Sequence, residues 1–260
     1  MVEPPKKQPP VVAEKTMDGG ADLEPGEPGD AAAFSYTEQS IRKAFVRKVY
    51  AILMLQLVIT LTAIFLFVYE PNINSYFRKS PENWLIAVVI AWCLGLALSI
   101  VLVCCSRIRR RWPVNMILLV RLFTICEGIV IGAMSSTKRS EDVIIAVYIC
   151  MAVCLALTNF AMQTEWDFTN CGRILITGLI VLVIFGIVAV YIPGKVYDLV
   201  EASMGAILFS VYLVYNTQMA FGGKQLATSP EEYVLAANSI YVDILNIYIF
   251  IVDLVRLSNI

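Results

Sequence analysis

WLIAVVIAWCLGLALSIVLVCC, residues 84–105, carries no charged side chain. An α-helix rises about 1.5 Å per residue, so a run of this length covers the roughly 30 Å of a bilayer's hydrocarbon core. No water reaches the backbone there, and a helix satisfies its own N–H and C=O groups. The stretch therefore reads as a membrane helix, and the rest of the chain decides how many others accompany it.

Working outward, apolar runs of similar length recur at about 49–69, 114–134, 143–162, 174–192, 197–219 and 234–255, giving seven spans with the first. The breaks carry Pro71 and Pro81, the basic run Arg107, Arg109, Arg110 and Arg111, then Lys138 with Arg139, Asp167, Pro193 with Gly194, and Gly222 with Gly223. Short breaks make neighbouring helices antiparallel. Residues 1–34 are rich in Pro, Gly and acidic side chains and poor in large apolar ones, so they read as a disordered tail. Order is expected from Ser35, which has capping-box spacing to Glu38. Lys and Arg cluster before the first span and after the second more than in the first and third loops, which places the N-terminus in the cytosol. The fold class expected is an all-α integral membrane protein, with the lipid bilayer as its first partner.

Composition removes other classes. The chain is 58% hydrophobic and 16% charged with a net charge of −1, and its cations lie between apolar runs, so no footprint for nucleic acid exists. It has no histidine, which removes Ser-His and Cys-His nucleophiles and HExxH zinc sites. Its seven cysteines lie in or beside apolar runs without metal-ligand spacing and read as packing residues. No enzyme and no cofactor are expected.

An ionisable group at bilayer depth costs roughly 2.5–3.5 kcal/mol on insertion scales, so the few present are candidate functional residues. In the last span Ser239, Asp243, Asn246 and Asp253 recur at helical spacing as one polar stripe. In the sixth, Glu201, Gly205, Tyr212 and Asn216 mark one face, and Asn216 lies near the same membrane side as Asp243, so the two faces are expected to meet. The third span adds Arg121, close enough to the cytosolic end to snorkel, and Glu127 near its middle. About 120° apart around the helix, these two each call for a partner on another helix. Glu127 is either protonated, paired or lining water. A helix–helix hydrogen bond needs only Asn or Ser, so a carboxylate at Asp243 favours ion or proton handling.

Three segments resemble one family. IRKAFVRKVYAIL (41–53), FAMQTEWDFT (160–169) and VYNTQMAFGGKQLATSPEEYVLAANSIYVDILNIYIF (214–250) are similar to lifeguard-type members of the Bax-inhibitor family, and the resemblance extends from about Phe34 to the C-terminus. It implies a seven-transmembrane-helix bundle of the Bax-inhibitor type in the endoplasmic reticulum, the Golgi or the plasma membrane. It also implies calcium-leak activity and suppression of cell death, with cell-death or calcium-handling membrane proteins as partners. In bacterial relatives two aspartates on the sixth and seventh helices share a proton and, with an arginine at the end of the second, form a pH-sensitive latch. Asp243 matches the seventh-helix aspartate and Arg107 or Arg109 the arginine.

The sixth-helix aspartate falls on Asn216, where many relatives read Asp before Thr-Gln. Two close carboxylates make a proton switch, whereas Asn cannot titrate, so altered pH gating follows. Asn still offers a carbonyl oxygen, and Asp243 remains a transient calcium contact. The ion pathway expected comprises Asp243, Asn216, Arg107 or Arg109, Glu127 and Glu201, with Ca2+ as permeant ion. The alternative is a nonconducting anti-apoptotic regulator acting through partner proteins. An intramembrane aspartyl protease would need the second carboxylate that Asn216 removes.

Overall fold

The computed structural model describes residues 28–79, 81–104, 114–192, 194–221 and 233–258. Arg107, Arg109, the Gly222–Gly223 break and most of the expected disordered tail lie outside the described residues. Every regular element among the described residues is helical. They are α1 (Pro28–Tyr69), α2 (Pro71–Lys79), α3 (Pro81–Cys104), α4 (Val114–Ser136), α5 (Ser140–Gln163), a 3-10 turn (Thr169–Cys171), α6 (Gly172–Tyr191), α7 (Lys195–Phe221) and α8 (Tyr233–Ser258). Each of the expected apolar runs falls on one of the long helices. Helix α1 starts ahead of Ser35, and its first part, residues 28–39, falls in a unit (Met1–Gln39) separate from the compact unit Ser40–Ile260.

Five segments are long and apolar enough to cross a membrane: Lys43–Tyr69, Trp84–Val101, Ser140–Gln163, Thr169–Ala189 and Lys195–Phe221. What surrounds them gives the environment. On α6 Ile176, Ile180, Val183, Ile184 and Ile187 are all exposed, and no polar stripe relieves them. A helix apolar all round with open flanks meets lipid, not water. The chain is a multi-pass membrane protein.

Helix α8 has the opposite surroundings. It packs most extensively on α7, then on α5 and α4, and buries Ile240, Tyr241, Leu245, Ile247, Tyr248 and Ile251 among other side chains. Helix α1 joins through side chains, its Ala63 and Phe67 lying over Gly128 and Gly132 of α4. Small residues four apart let helices approach closely where no hydrophobic force drives them together. Polar links then fix rotation: Thr60 and Tyr241 hydroxyls lie 2.7 Å apart, and Ser135 and Tyr248 hydroxyls 2.9 Å apart. Tyr241 and Tyr248 are seven residues apart, two helical turns, so both project from the same side of α8, the first reaching α1 and the second α4.

Candidate functional site

Asn216 sits on α7 and Asp243 on α8, the most closely associated pair of helices in the bundle. The Asn216 amide Nδ2 donates to Asp243 Oδ2 at 2.7 Å. Asp243 is only 4% exposed. The two polar faces therefore meet at this point. One turn of the same seam is held by aromatic packing: Phe209 of α7 stacks on Phe250 of α8 with ring centres 5.9 Å apart, and Gly205 leaves the space that the Phe250 ring fills. A carboxylate reached by an amide gains a hydrogen bond but no countercharge, so it keeps the capacity to attract a cation.

Asn246 follows Asp243 by three residues on α8. Its side-chain amide donates to the Val242 carbonyl at 2.8 Å, leaving its own carbonyl oxygen as an acceptor. It lines a cavity of about 530 Å³ between α3, α4 and α8, together with Ser99 and Glu127. The remaining wall is apolar, including Trp92, Leu96 and Phe123. Glu127 presses its carboxyl against Gly95 of α3: a methyl group built there would lie 2.8 Å from Glu127 Oε1. It thus reaches across to another helix, but to a glycine backbone position and not to a cation. Among the described residues no hydrogen bond or salt bridge to Glu127 is found. Its carboxyl stands at the wall of that cavity.

Further along α8 the space closes. A void of only about 10 Å³, bounded by Ile131, Met134, Ile249, Ser135, Tyr248 and the Lys138–Asp253 pair, adjoins the large cavity through its shared wall residues. Lys138 Nζ lies 2.5 Å from Asp253, and Arg256 Nε stands 3.8 Å from the same oxygen. Asp253 is therefore answered by two cations at its end of α8. Lys138 reads in the sequence only as a loop break; nothing in its spacing points to Asp253, 115 positions away.

Two groupings expected from the sequence spread over several neighbours. Ser239, Asp243, Asn246 and Asp253 do share one broad side of α8, but they meet different neighbours. Ser239 turns back to the Leu235 carbonyl, Asp243 meets α7, Asn246 meets the cavity, and Asp253 meets the α4–α5 turn. The stripe spans about 20 Å of helix. Glu201 stands towards the other end of α7 from Asn216. Its carboxyl rests on Gly186 of α6, and its fifteen-residue separation from Asn216 amounts to roughly 22 Å along α7. Arg121 is exposed at the rim of a different cavity, as a snorkelling residue would be. Among the described residues no group of three His, Cys, Asp or Glu side chains converges as a metal cage.

Residues 42–259 match the family model described as Inhibitor of apoptosis-promoting Bax1. The chain is 34% identical over 246 residues to protein lifeguard 3 of Mus musculus, covering 93% of this chain and 75% of that protein. Human protein lifeguard 3 is 34% identical over 228 residues, 86% of this chain and 72% of its own length. Mouse protein lifeguard 4 is 33% identical over 247 residues, covering 92% of this chain and 99% of the relative.

Proposed function

The chain belongs to the Bax-inhibitor family, and from that premise we propose that it is a seven-helix, calcium-permeable leak protein that lowers organellar calcium and so restrains apoptosis. Its membrane is that of the endoplasmic reticulum or Golgi, with the N-terminus in the cytosol. The observation that carries the reading is the Asn216–Asp243 contact: a buried carboxylate bound by an amide at the seam of α7 and α8.

A calcium ion takes carboxylate and carbonyl oxygens, and both residues supply them once the amide rotates. Asn246, Ser99 and Glu127 provide the next oxygens, less than one helical turn further along α8. The route is then stopped at the Ser135–Tyr248 and Lys138–Asp253 contacts, where a lysine opposes a passing cation. In this reading the Asn216–Asp243 and Lys138–Asp253 contacts are two closed gates, with the Glu127 cavity between them. Because Asn216 does not titrate, opening at the first gate responds to calcium more than to protons. The basic residues Arg107 and Arg109 serve as anchors at the cytosolic face.

The test is calcium flux into dye-loaded liposomes containing the purified chain, at acidic and neutral pH. Wild type leaks, Asp243→Asn changes the leak, Glu127→Gln lowers it, and Asn216→Asp makes it steeply pH-dependent by placing two carboxylates together. Absence of flux from every folded variant would overturn the channel reading and leave a nonconducting regulator that works through partner membrane proteins.

A further inference from the structure

The cavity that Glu127 lines measures about 530 Å³, within the range of pockets that hold small organic molecules. Apart from Glu127, Ser99 and Asn246, its lining side chains are apolar or aromatic. Calcium passage leaves this wall unexplained, since the ion is held by roughly six to eight oxygens. Both α3 and α8 pack on α4, but they scarcely approach each other. The cavity fills the gap between them, and the exposed Val89, Trp92 and Leu96 of α3 stand along it. In a bilayer that gap faces lipid, so an occupant can enter sideways from the membrane.

The charge of the occupant follows from the acid. Trp92 and Ser99 lie on either side of Gly95 along one face of α3, and the Glu127 carboxyl rests against Gly95, so it is set between the levels of an indole ring and a hydroxyl. Asn246 offers its carbonyl oxygen from α8, its amide being engaged by the Val242 carbonyl. Among the described residues no cation lines the cavity; Lys138 stands at the adjoining void and is tied to Asp253. An acid at bilayer depth without a countercharge attracts a cation, and an aromatic wall beside it favours an organic one. A primary ammonium carries three N–H donors. The carboxyl of α4, the hydroxyl of α3 and the carbonyl of α8 are acceptors on three sides of one space, and the apolar remainder takes a hydrocarbon body.

We propose that this cavity binds a lipid-soluble primary amine, which enters from the bilayer between α3 and α8, places its ammonium on Glu127 and lays its chain along the apolar wall. The amine and the carboxyl need only one proton between them. A neutral amine meeting a neutral acid forms the same ion pair as an ammonium meeting a carboxylate, so no net charge has to cross the lipid. Water-soluble polyamines fit poorly, because their several charges would lie against apolar walls. Binding is independent of conduction; resting on the calcium-leak reading, a bound amine also plugs the route between the two gates.

The test uses the full-length protein in phosphatidylcholine nanodiscs and the equilibrium binding of radiolabelled dodecylamine beyond that of protein-free discs. Competitors are dodecanol, dodecyltrimethylammonium and spermidine, the first two referred to their concentration in the lipid. Dodecylamine binds at least about tenfold tighter than dodecanol, and Glu127→Gln removes that preference. Dodecyltrimethylammonium, which has the charge but no N–H, binds a few-fold more weakly than dodecylamine, and Trp92→Leu weakens dodecylamine by a similar factor. If Glu127→Gln does not fold, the wild-type ranking of amine over alcohol and the Trp92→Leu variant test the same pocket. Equal binding of dodecylamine and either dodecyl comparator, an undiminished preference in Glu127→Gln, or no effect of Trp92→Leu would overturn the proposal. Displacement by spermidine at equal aqueous concentration would also overturn it, reassigning the acid to a soluble polyamine. Calcium flux is recorded on the same preparation without amine and with saturating amine, and a leak that persists under amine overturns the plugging step. Absence of flux before amine is added counts against the leak reading alone, since the binding assay does not need it.

Discussion

Helix α8 carries two aspartates ten residues apart, and the protein answers them in different ways. Asp243 is buried and receives an amide from Asn216; Asp253 is partly exposed and receives Lys138 and Arg256. A neutral donor supplies a hydrogen bond without a countercharge, whereas Asp253 faces two cations. The difference teaches that burial and neutralisation are separate decisions in this bundle. The more buried acid is the less compensated one, which is the reverse of what stability alone would select.

Breaking the Asn216 contact should therefore have the largest effect. Asn216→Leu leaves Asp243 buried with its donor removed and is expected to cost about 2–3 kcal/mol of stability. Unfolding in mixed detergent micelles measures it, and the loss should be insensitive to salt because the site is shielded. A cost near zero would mean that Asp243 finds another donor at once, and the contrast with Asp253 would dissolve. Asn216→Asp turns the same contact into a carboxylate pair. One shared proton holds such a pair together at low pH, and its loss sets two like charges against each other. The variant's stability should fall as pH rises, where the wild type has no such pair to lose.

Lys138→Ala should cost less, about 1 kcal/mol, since the pair is partly exposed and Arg256 remains beside Asp253. High salt should narrow the gap between wild type and variant. Its functional effect is expected to run the other way: removing the lysine from the narrow end of the cavity raises calcium flux in the liposome assay. A stability loss as large as that of Asn216→Leu would make Lys138 a structural strut.

The sequence makes one of these two aspartate sites far more readable than the other. Asp243 and Asn216 stand out because each interrupts an apolar run, and the helical period places them on facing sides. The membrane character and the helix positions are legible for the same reason, as long charge-free runs leave few alternatives to a helix. Lys138 sits in a polar turn where a cation is unremarkable, so its partner emerges only when α4 and α8 are packed. The tyrosine–hydroxyl links at Tyr241 and Tyr248 are hidden in the same way, because both residues pass for core aromatics. Glu201 is legible as a buried-run acid, but its surroundings are not. Periodicity puts it on the Asn216 side of α7 but carries no information about which neighbouring helix lies there after fifteen residues.

A third acid sharpens the contrast at the smallest energetic scale. Among the described residues Glu127 has neither an amide nor a cation, and it rests on Gly95 of α3. An alanine methyl at Gly95 would sit 2.8 Å from the carboxyl oxygen, yet the group it meets is the free end of a flexible side chain with an open cavity beside it. Gly95→Ala is thus expected to change stability by less than about 0.5 kcal/mol, since the carboxyl swings aside without opening a void or straining a ring. The swing carries the carboxyl further into the cavity, towards Asn246. Calcium flux should respond even though unfolding does not, and the effect should vanish in a Glu127→Gln background. If instead Gly95→Ala destabilises the bundle by several times that amount, the glycine serves close packing of α3 on α4, and the position of the Glu127 carboxyl is a consequence of that packing.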